Sequence, residues 1–316
     1  MQVKVGDNSF EQALDLSTGE SEVRATLNTG GFQFGGSPLL AEWLARSAAL
    51  GHKYPMLDVG CAFGANALAA ARAGNGDAKV RALGVAISSC VETFLTLLPP
   101  YMPYAKVVAL DCDERHLAEV REAAEAQNLA GVVSTAYGRL PGNLPEGRFS
   151  SILVSEVVHF LSGRQIEQSV AALAARLMPG GAMMFTCASP TAPFAVAKGA
   201  SGGTEAGLRF QEAHAEGLAN GAAWPGELAF DVRSAVFAWQ RELGVDEATA
   251  NAVSLRQPTE MHLVSPELLA AAIERVQGMR VVSAVTARHE RYPVRGTPSD
   301  EERLSENTQV IAVRDE

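Results

Sequence analysis

The chain has 316 residues, is 47% hydrophobic and carries a formal net charge of −10. That is room for one large domain or two small ones with a sizeable core, and the acidic balance argues against a nucleic-acid or anionic-membrane surface, which needs a basic face. No apolar run reaches the ~20 residues of a membrane span, "MQVKVGDNSFEQALDLS" has no apolar signal region, and the cysteines Cys61, Cys90, Cys112 and Cys187 form no CxxC pair, so a reduced cytoplasm is the expected home.

Residues 1–20 read as polar and poorly ordered. "SPLLAEWLARSAALG" (Ser37–Gly51) predicts a helix with a Ser cap, Pro at its first position and Gly at its stop. "YPMLDVG" is then a short buried strand and "GANALAAARAG" a helix between glycines. "KVVALD" (Lys106–Asp111) predicts the second strand and "ERHLAEVREAAEAQNLAG" a helix. "VVSTAY" (Val132–Tyr137) and "SSILVS" (Ser150–Ser155) predict the third and fourth strands. "RQIEQSVAALAARLMPGG" reads as a helix stopped by Pro-Gly-Gly before the strand "AMMFTCA". Strand and helix alternate five times, the pattern of a parallel sheet covered on both faces.

Ser189–Glu260 breaks the alternation with two amphipathic helices, roughly Leu208–Asn220 and Glu227–Leu243. "SPELLAAAIERV" (Ser265–Val276) is a capped helix. "RVVSAVTARHERY" and "TQVIAVRD" predict an antiparallel hairpin at the sheet's edge. The expected organisation is an N-terminal segment and helix (1–50), an α/β core (51–188), a helical lid or substrate insertion (189–260), and a last helix with closing strands (261–316).

"PMLDVGCAFGANALAAARAG" holds one acid, Asp58, just before its first glycine. In an open α/β sheet, ligands sit at the carboxyl ends of the strands. Gly60 and Gly64 let a backbone approach closely, while Asp58 would repel a phosphate and attract an ammonium. The loop therefore suits a ligand that joins adenosine to a cationic amino acid, S-adenosylmethionine. Asp111 ends the second strand, where a carboxylate can accept from both ribose hydroxyls. Its competing role, capping the next helix, is better served by Asp113.

"LDVGCAFG", "VVALDCD", "AYGRLPGNLPEGRFSSILVSEVVHFL" and "LMPGG", in this order and spacing, resemble a class I S-adenosylmethionine-dependent methyltransferase of the small-molecule type. The resemblance covers Pro55–Ala188 well and the last strands loosely. It implies a doubly wound, mostly parallel seven-stranded sheet with its last strand antiparallel. It implies that Gly60, Cys61, Ala62 and Gly64 line S-adenosyl-L-methionine, with Asp58 near its amino group, Asp111 on the ribose, Cys112 beside the adenine and Ser155 at the amino-acid end, and S-adenosyl-L-homocysteine as product. Ala62 replaces the family's middle glycine. Arg139 stands where the family often has an adenine-binding Asp; a guanidinium cannot accept that hydrogen bond, so backbone groups of Arg139 and Leu140 are expected there instead. About thirty extra residues, 75–104, precede the second strand. They fit extra core or the subunit interface of a homodimer. Taking "RALGVAIS" as the second strand would remove the ribose acid.

Methyl transfer needs an aligned nucleophile and excluded water, and a base only where the nucleophile holds its proton. His159 follows the fourth strand and is the candidate base; packing or substrate contact is its competing role. Glu156 could meet the cofactor or the substrate, be solvated, or pair locally. Phe32 and Phe34, within "LNTGGFQFGGSP", read as a closing loop or a linker. Trp224, with the insertion's other aromatics and Arg209, Arg233 and Arg241, could shape a pocket for a small, partly apolar acid, or serve as the insertion's own core. His116 reads as solvated on a helix face, and His214 and His262 as weaker substrate candidates. No His/Cys/Asp spacing suggests a metal site. The acceptor (O, N or S) is open. The rival readings are a protein methyltransferase and a catalytically silent cofactor-binding scaffold.

Overall fold

The computed structural model describes residues 38–51, 53–74, 106–196, 206–222, 224–226, 229–255, 260–290 and 304–316. The loop with Phe32 and Phe34, His52, and the 75–104 insertion with "RALGVAIS" lie outside them. Helix α1 (Pro38–Gly51) leads into β1 (Met56–Val59), α2 (Ala65–Gly74), β2 (Val107–Asp111), α3 (Glu114–Ala126), β3 (Val133–Tyr137), β4 (Phe149–Ser155), α4 (Gly163–Arg176) and β5 (Leu177–Ala188). The insertion follows, with α5 (Pro193–Val196), α6 (Ala206–Ala219), β6 (Ala229–Asp231), α7 (Val232–Glu242), α8 (Glu247–Ser254) and β7 (Glu260–His262). Helix α9 (Pro266–Glu274), β8 (Met279–Glu290) and β9 (Leu304–Arg314) close the chain.

Seven strands form one sheet in the order β3-β2-β1-β4-β5-β9-β8. β1 to β5 are mutually parallel, and β9 runs antiparallel between β5 and β8. The expected fold and closing hairpin are therefore present, and Val107–Asp111 is the second strand, paired with both β1 and β3. The period of two along each strand divides the core. Met56, Leu153 and Met184 face α1, α2 and α3, while Leu57, Ile152, Val154 and Phe185 face α4 and α9. Both faces are covered, which explains why β1 and β4 are buried along their whole length. Trp43 of α1 is fully buried and its indole donates to the Ala182 carbonyl at 3.2 Å.

Local signals set the helix starts. Asp113 caps α3 by accepting from the Arg115 amide, as expected. Ser162 and Gln165 form a capping box on α4, and Ser265 caps α9 with Pro266 just inside.

Two boundaries differ from expectation. The helix before β5 ends at Arg176, and Pro179-Gly180-Gly181 lies inside β5, where the register with β4 jumps between Phe149↔Leu177 and Ser151↔Ala182. Gly180 takes φ +75 there, so the tripeptide makes a bulge rather than a loop. In the insertion, the predicted second helix begins only at Val232. Ala229–Asp231 is instead a strand paired antiparallel to β7, and Asp231 caps α7. A further helix, α8, was not foreseen; Asp246 caps it through the Thr249 amide. Among the described residues, no helix is long and apolar enough to cross a membrane.

The insertion has its own apolar core. Phe194, Phe210, Phe230, Val236 and Met261 are buried together, with Ala188 at the end of β5 and Leu268 of α9 in the same cluster. Trp224 is half-buried and touches both this cluster and the main core.

Candidate functional site

The carboxyl ends of β1, β2, β4 and β5 converge on one edge of the sheet. The turn after β1 is built by backbone conformations that L-residues rarely adopt: Gly60, Ala62 and Gly64 have φ of +70, +45 and +76. The room at the two glycines is taken up by the chain itself. A Cβ on Gly60 would lie 2.2 Å from Val157 Cγ2, and one on Gly64 would lie 2.7 Å from Val120 Cγ2 of α3. These glycines let the turn nest between the β4 loop and α3. Ala62 holds its left-handed conformation at a cost of about 1 kcal/mol.

The turn is tied to the end of β2. The amides of Gly60 and Cys61 donate to the Leu110 carbonyl at 2.8 and 3.0 Å. The Ala62 amide donates to Asp111 Oδ2 at 2.9 Å, and the Asp113 amide donates to Asp111 Oδ1 at 2.9 Å. His116 Nδ1 lies 3.2 Å from the same Oδ1. His116 is therefore not solvated, as its place on a helix suggested: it is buried, stacked edge-to-face on Phe63 at 4.6 Å between centroids. Glu114 and Arg115 of the same turn are exposed, and His116 is the one that falls on the side facing the end of β2 and Phe63.

Asp58 is fully buried on the α2 side of β1; the Ala67 amide faces its carboxylate but does not reach hydrogen-bond geometry with either oxygen. Burial pushes its carboxyl up to about 7, with the Ala67 amide partly offsetting and Asp111 adding to the rise. Asn66 Oδ1, at the start of α2, is buried without a partner as well. Unpaired buried acceptors such as these are what a donor-rich cation would satisfy. Burial pushes the Cys61 thiol well up, and the neighbouring carboxylates Asp58 and Asp111 add to the effect. Burial also raises Cys112, with Asp111 contributing. Both sulfurs are held as thiols, lining groups rather than nucleophiles. Beyond β3, the Gly138 amide donates to the Asp111 carbonyl, Arg139 is exposed and Leu140 is buried.

At the end of β4, Ser155 is buried and accepts from the Thr186 hydroxyl at 3.3 Å. Glu156 has φ +57, a strained conformation for a residue with a side chain. Its Oε1 accepts from Asn307 Nδ2 at 2.7 Å and from the Thr186 hydroxyl at 3.2 Å. Its Oε2 lies 4.0 Å from His159 Nδ1. His159 is buried and accepts the Ala188 amide on Nδ1 at 3.2 Å. Trp224 does not stand in this network. It packs on Gly163 at the start of α4, where an added Cβ would meet the indole at 2.1 Å. His262 has a buried Nδ1 without a partner, on β7, which packs against the turn that carries His159. His214 stacks on Phe210 inside the insertion, and Arg241 donates to the Val245 carbonyl.

Asp58, the 60–64 turn and Asp111 thus form one cluster, and Ser155, Glu156 and His159 another beside it. Sequence reasoning missed Asn307, Thr186 and the true place of His116. The first carried a readable signal: Asn307, Thr308 and Gln309 are polar residues just before an apolar run, and they lie where β9 begins to pair with β5. An antiparallel strand begins at the edge where its parallel neighbours end.

Residues 85–185 match the model of a family described as a methyltransferase domain. The match spans β2 to most of β5 and begins after the Asp58 turn. No curated protein matches the chain. Among solved structures, an S-adenosylmethionine-dependent methyltransferase from Methanosarcina mazei is 11% identical with a TM-score of 0.50, over 90% of this chain and 99% of that one. One from Mesorhizobium loti is 16% identical with a TM-score of 0.43, over 87% and 98%. The glycopeptide N-methyltransferase MtfA, complexed with S-adenosyl-L-methionine, is 13% identical with a TM-score of 0.42, over 87% of each chain. At 11% identity, the first of these is a likeness of fold.

Proposed function

We propose that the chain, whose residues 85–185 match a methyltransferase-domain model, is a class I S-adenosylmethionine-dependent methyltransferase that transfers a methyl group to a small-molecule acceptor at the edge formed by β1, β2, β4 and β5. The observation that carries the reading is the pairing of a buried, unsatisfied Asp58 with a second carboxylate, Asp111, at the neighbouring strand end. Asp58 would take the ammonium of the cofactor, Asp111 its ribose, and the backbone of Arg139 and Leu140 its adenine edge. Bound S-adenosylmethionine supplies a methyl group already activated on a sulfonium. The protein's share is to orient, to exclude water and to manage any proton the acceptor sheds.

Ser155, Glu156 and His159 lie on the acceptor side of this arrangement. The Ala188 amide occupies the lone pair of His159 Nδ1, so in the neutral ring the hydrogen sits on Nε2. That favours His159 as a packing group and donor toward the acceptor over His159 as a general base. His159→Ala should therefore lower kcat less than tenfold, while leaving the buried Ala188 amide unpaired and costing about 1–3 kcal/mol of stability. A base would instead show a loss of about 10²–10⁴ that shrinks as pH rises. Steady-state rates across pH together with thermal melts decide between them.

The insertion is proposed as the cover of the acceptor side. Its core is continuous with Ala188 at the end of β5, and β7 packs on the His159 turn. Amide exchange in Ala206–Ala219 and Val232–Glu242 should slow when S-adenosylhomocysteine and an acceptor are both bound. Equal exchange with and without them would make the insertion an appendage.

Titration with S-adenosylhomocysteine, followed by transfer of a labelled methyl group to a panel of small-molecule acceptors, tests the whole reading. Binding with turnover is expected. Binding without any acceptor would support a silent scaffold, and turnover on proteins alone a protein methyltransferase.

A further inference from the structure

We propose that His116 is a positioning residue for the cofactor's ribose, acting through Asp111. The inference rests on the cofactor reading above. A carboxylate only accepts hydrogen bonds, so the nitrogen of His116 that lies 3.2 Å from Asp111 Oδ1 is the one carrying hydrogen. Asp111 thereby holds three donors: the Asp113 amide and His116 on Oδ1, and the Ala62 amide on Oδ2. A carboxylate has about four lone-pair directions. With three engaged, its plane is fixed, and one direction remains on a carboxylate that ends β2.

The same three bonds join separate pieces of chain. Ala62 belongs to the strained turn after β1, Asp113 caps α3, and His116 sits in the first turn of α3. His116 is out of place by helix energetics alone. The first turn of a helix favours acids, because its unpaired amides make that end positive. The cap is already supplied by Asp113. The side chain is buried against Phe63 of the turn itself. Its placement is explained by what it holds, the Asp111 carboxylate and the neighbouring turn.

A packing role and a positioning role make opposite predictions for two substitutions. His116→Phe keeps a buried ring against Phe63 but cannot donate. His116→Asn loses volume but keeps an N–H donor at the position of Nδ1. Binding is measured by calorimetry with S-adenosylhomocysteine and with its 2′,3′-dideoxy analogue, which lacks the ribose hydroxyls. If His116 positions Asp111, His116→Phe weakens S-adenosylhomocysteine about tenfold, the size of one hydrogen bond to a charged group. It leaves the dideoxy analogue nearly unchanged, and His116→Asn stays close to wild type with both. If His116→Asn is the weaker binder, or if both ligands weaken alike, or if His116→Phe binds as well as wild type, the inference is overturned. Failure of the wild-type chain to bind S-adenosylhomocysteine at all would overturn the cofactor reading itself, a result these variants do not mimic.

Discussion

Asp58→Asn is expected to be more thermostable than the wild-type chain at pH 8 and indistinguishable from it near pH 4. In the folded chain, burial carries the Asp58 carboxyl from an ordinary 3.8 to about 7. The folded state therefore keeps a proton that the unfolded state has already released between these values. Stability is fully present below the unfolded value and falls as pH rises toward 7, above which the loss is complete. Going from 3.8 to about 7 corresponds to a loss on the order of 4 kcal/mol. The amide of the variant does not ionise, so the slope disappears. Thermal melts of both proteins from pH 4 to 8 measure it directly, and parallel curves would contradict the assignment. Function should move the other way. A cationic ligand group pulls Asp58 back to its charged form, so binding S-adenosylhomocysteine at pH 6 should release a proton from wild type and none from Asp58→Asn. Calorimetry in buffers of different ionisation enthalpy reads that proton. An acid that destabilises the free chain and is neutralised by its ligand is a trade of stability for binding.

Asp111→Ala should weaken S-adenosylhomocysteine by at least two orders of magnitude. Hydrogen bonds to a charged group are worth roughly 1.5–3 kcal/mol each. The substitution removes the ribose contact and also strips the Ala62 amide, the Asp113 amide and His116 of their shared acceptor. The turn after β1 then loses one of its ties to β2, so the effect on affinity should exceed that of the ribose contact alone. Asp111→Asn keeps one carbonyl acceptor and should fall between wild type and alanine. Unchanged affinity in a folded Asp111→Ala chain would remove Asp111 from the site.

The sheet was legible because short apolar runs alternate with stretches of period 3.6, with punctuation between them. The "MLDV", "VVALD" and "SILVS" runs are apolar on both faces because both faces of the sheet are covered. Asp58 and Asp111 stood out because each is a carboxylate at the end of such a run, where nothing in the sheet requires one. The bulge at Pro179–Gly181 was not legible, because Pro-Gly-Gly is the usual signal of a stop. What keeps it in the strand is pairing with β4 on both sides of it, Phe149↔Leu177 before and Ser151↔Ala182 after. His116 was misplaced for a related reason. Helical periodicity says which side of a helix a residue occupies, but not that the side holding His116 meets a carboxylate. Asn307 and Thr186 reach Glu156 across 151 and 30 residues of chain; local pattern could mark Asn307 as polar in an apolar strand but could not name its partner. The insertion's aromatics were read both as pocket and as core; burial assigns Phe194, Phe210 and Phe230 to core.

The central claim is that one ligand bridges Asp58 and Asp111 with its sulfur toward Glu156 and His159. A crystal structure of the chain with S-adenosylhomocysteine tests this most directly. The account predicts a ribose hydroxyl on the Asp111 carboxylate, the amino group on the Asp58 side of the 60–64 turn, and the sulfur facing the end of β4. Density for the ligand anywhere else, or a ribose bound without contact to Asp111, would contradict it.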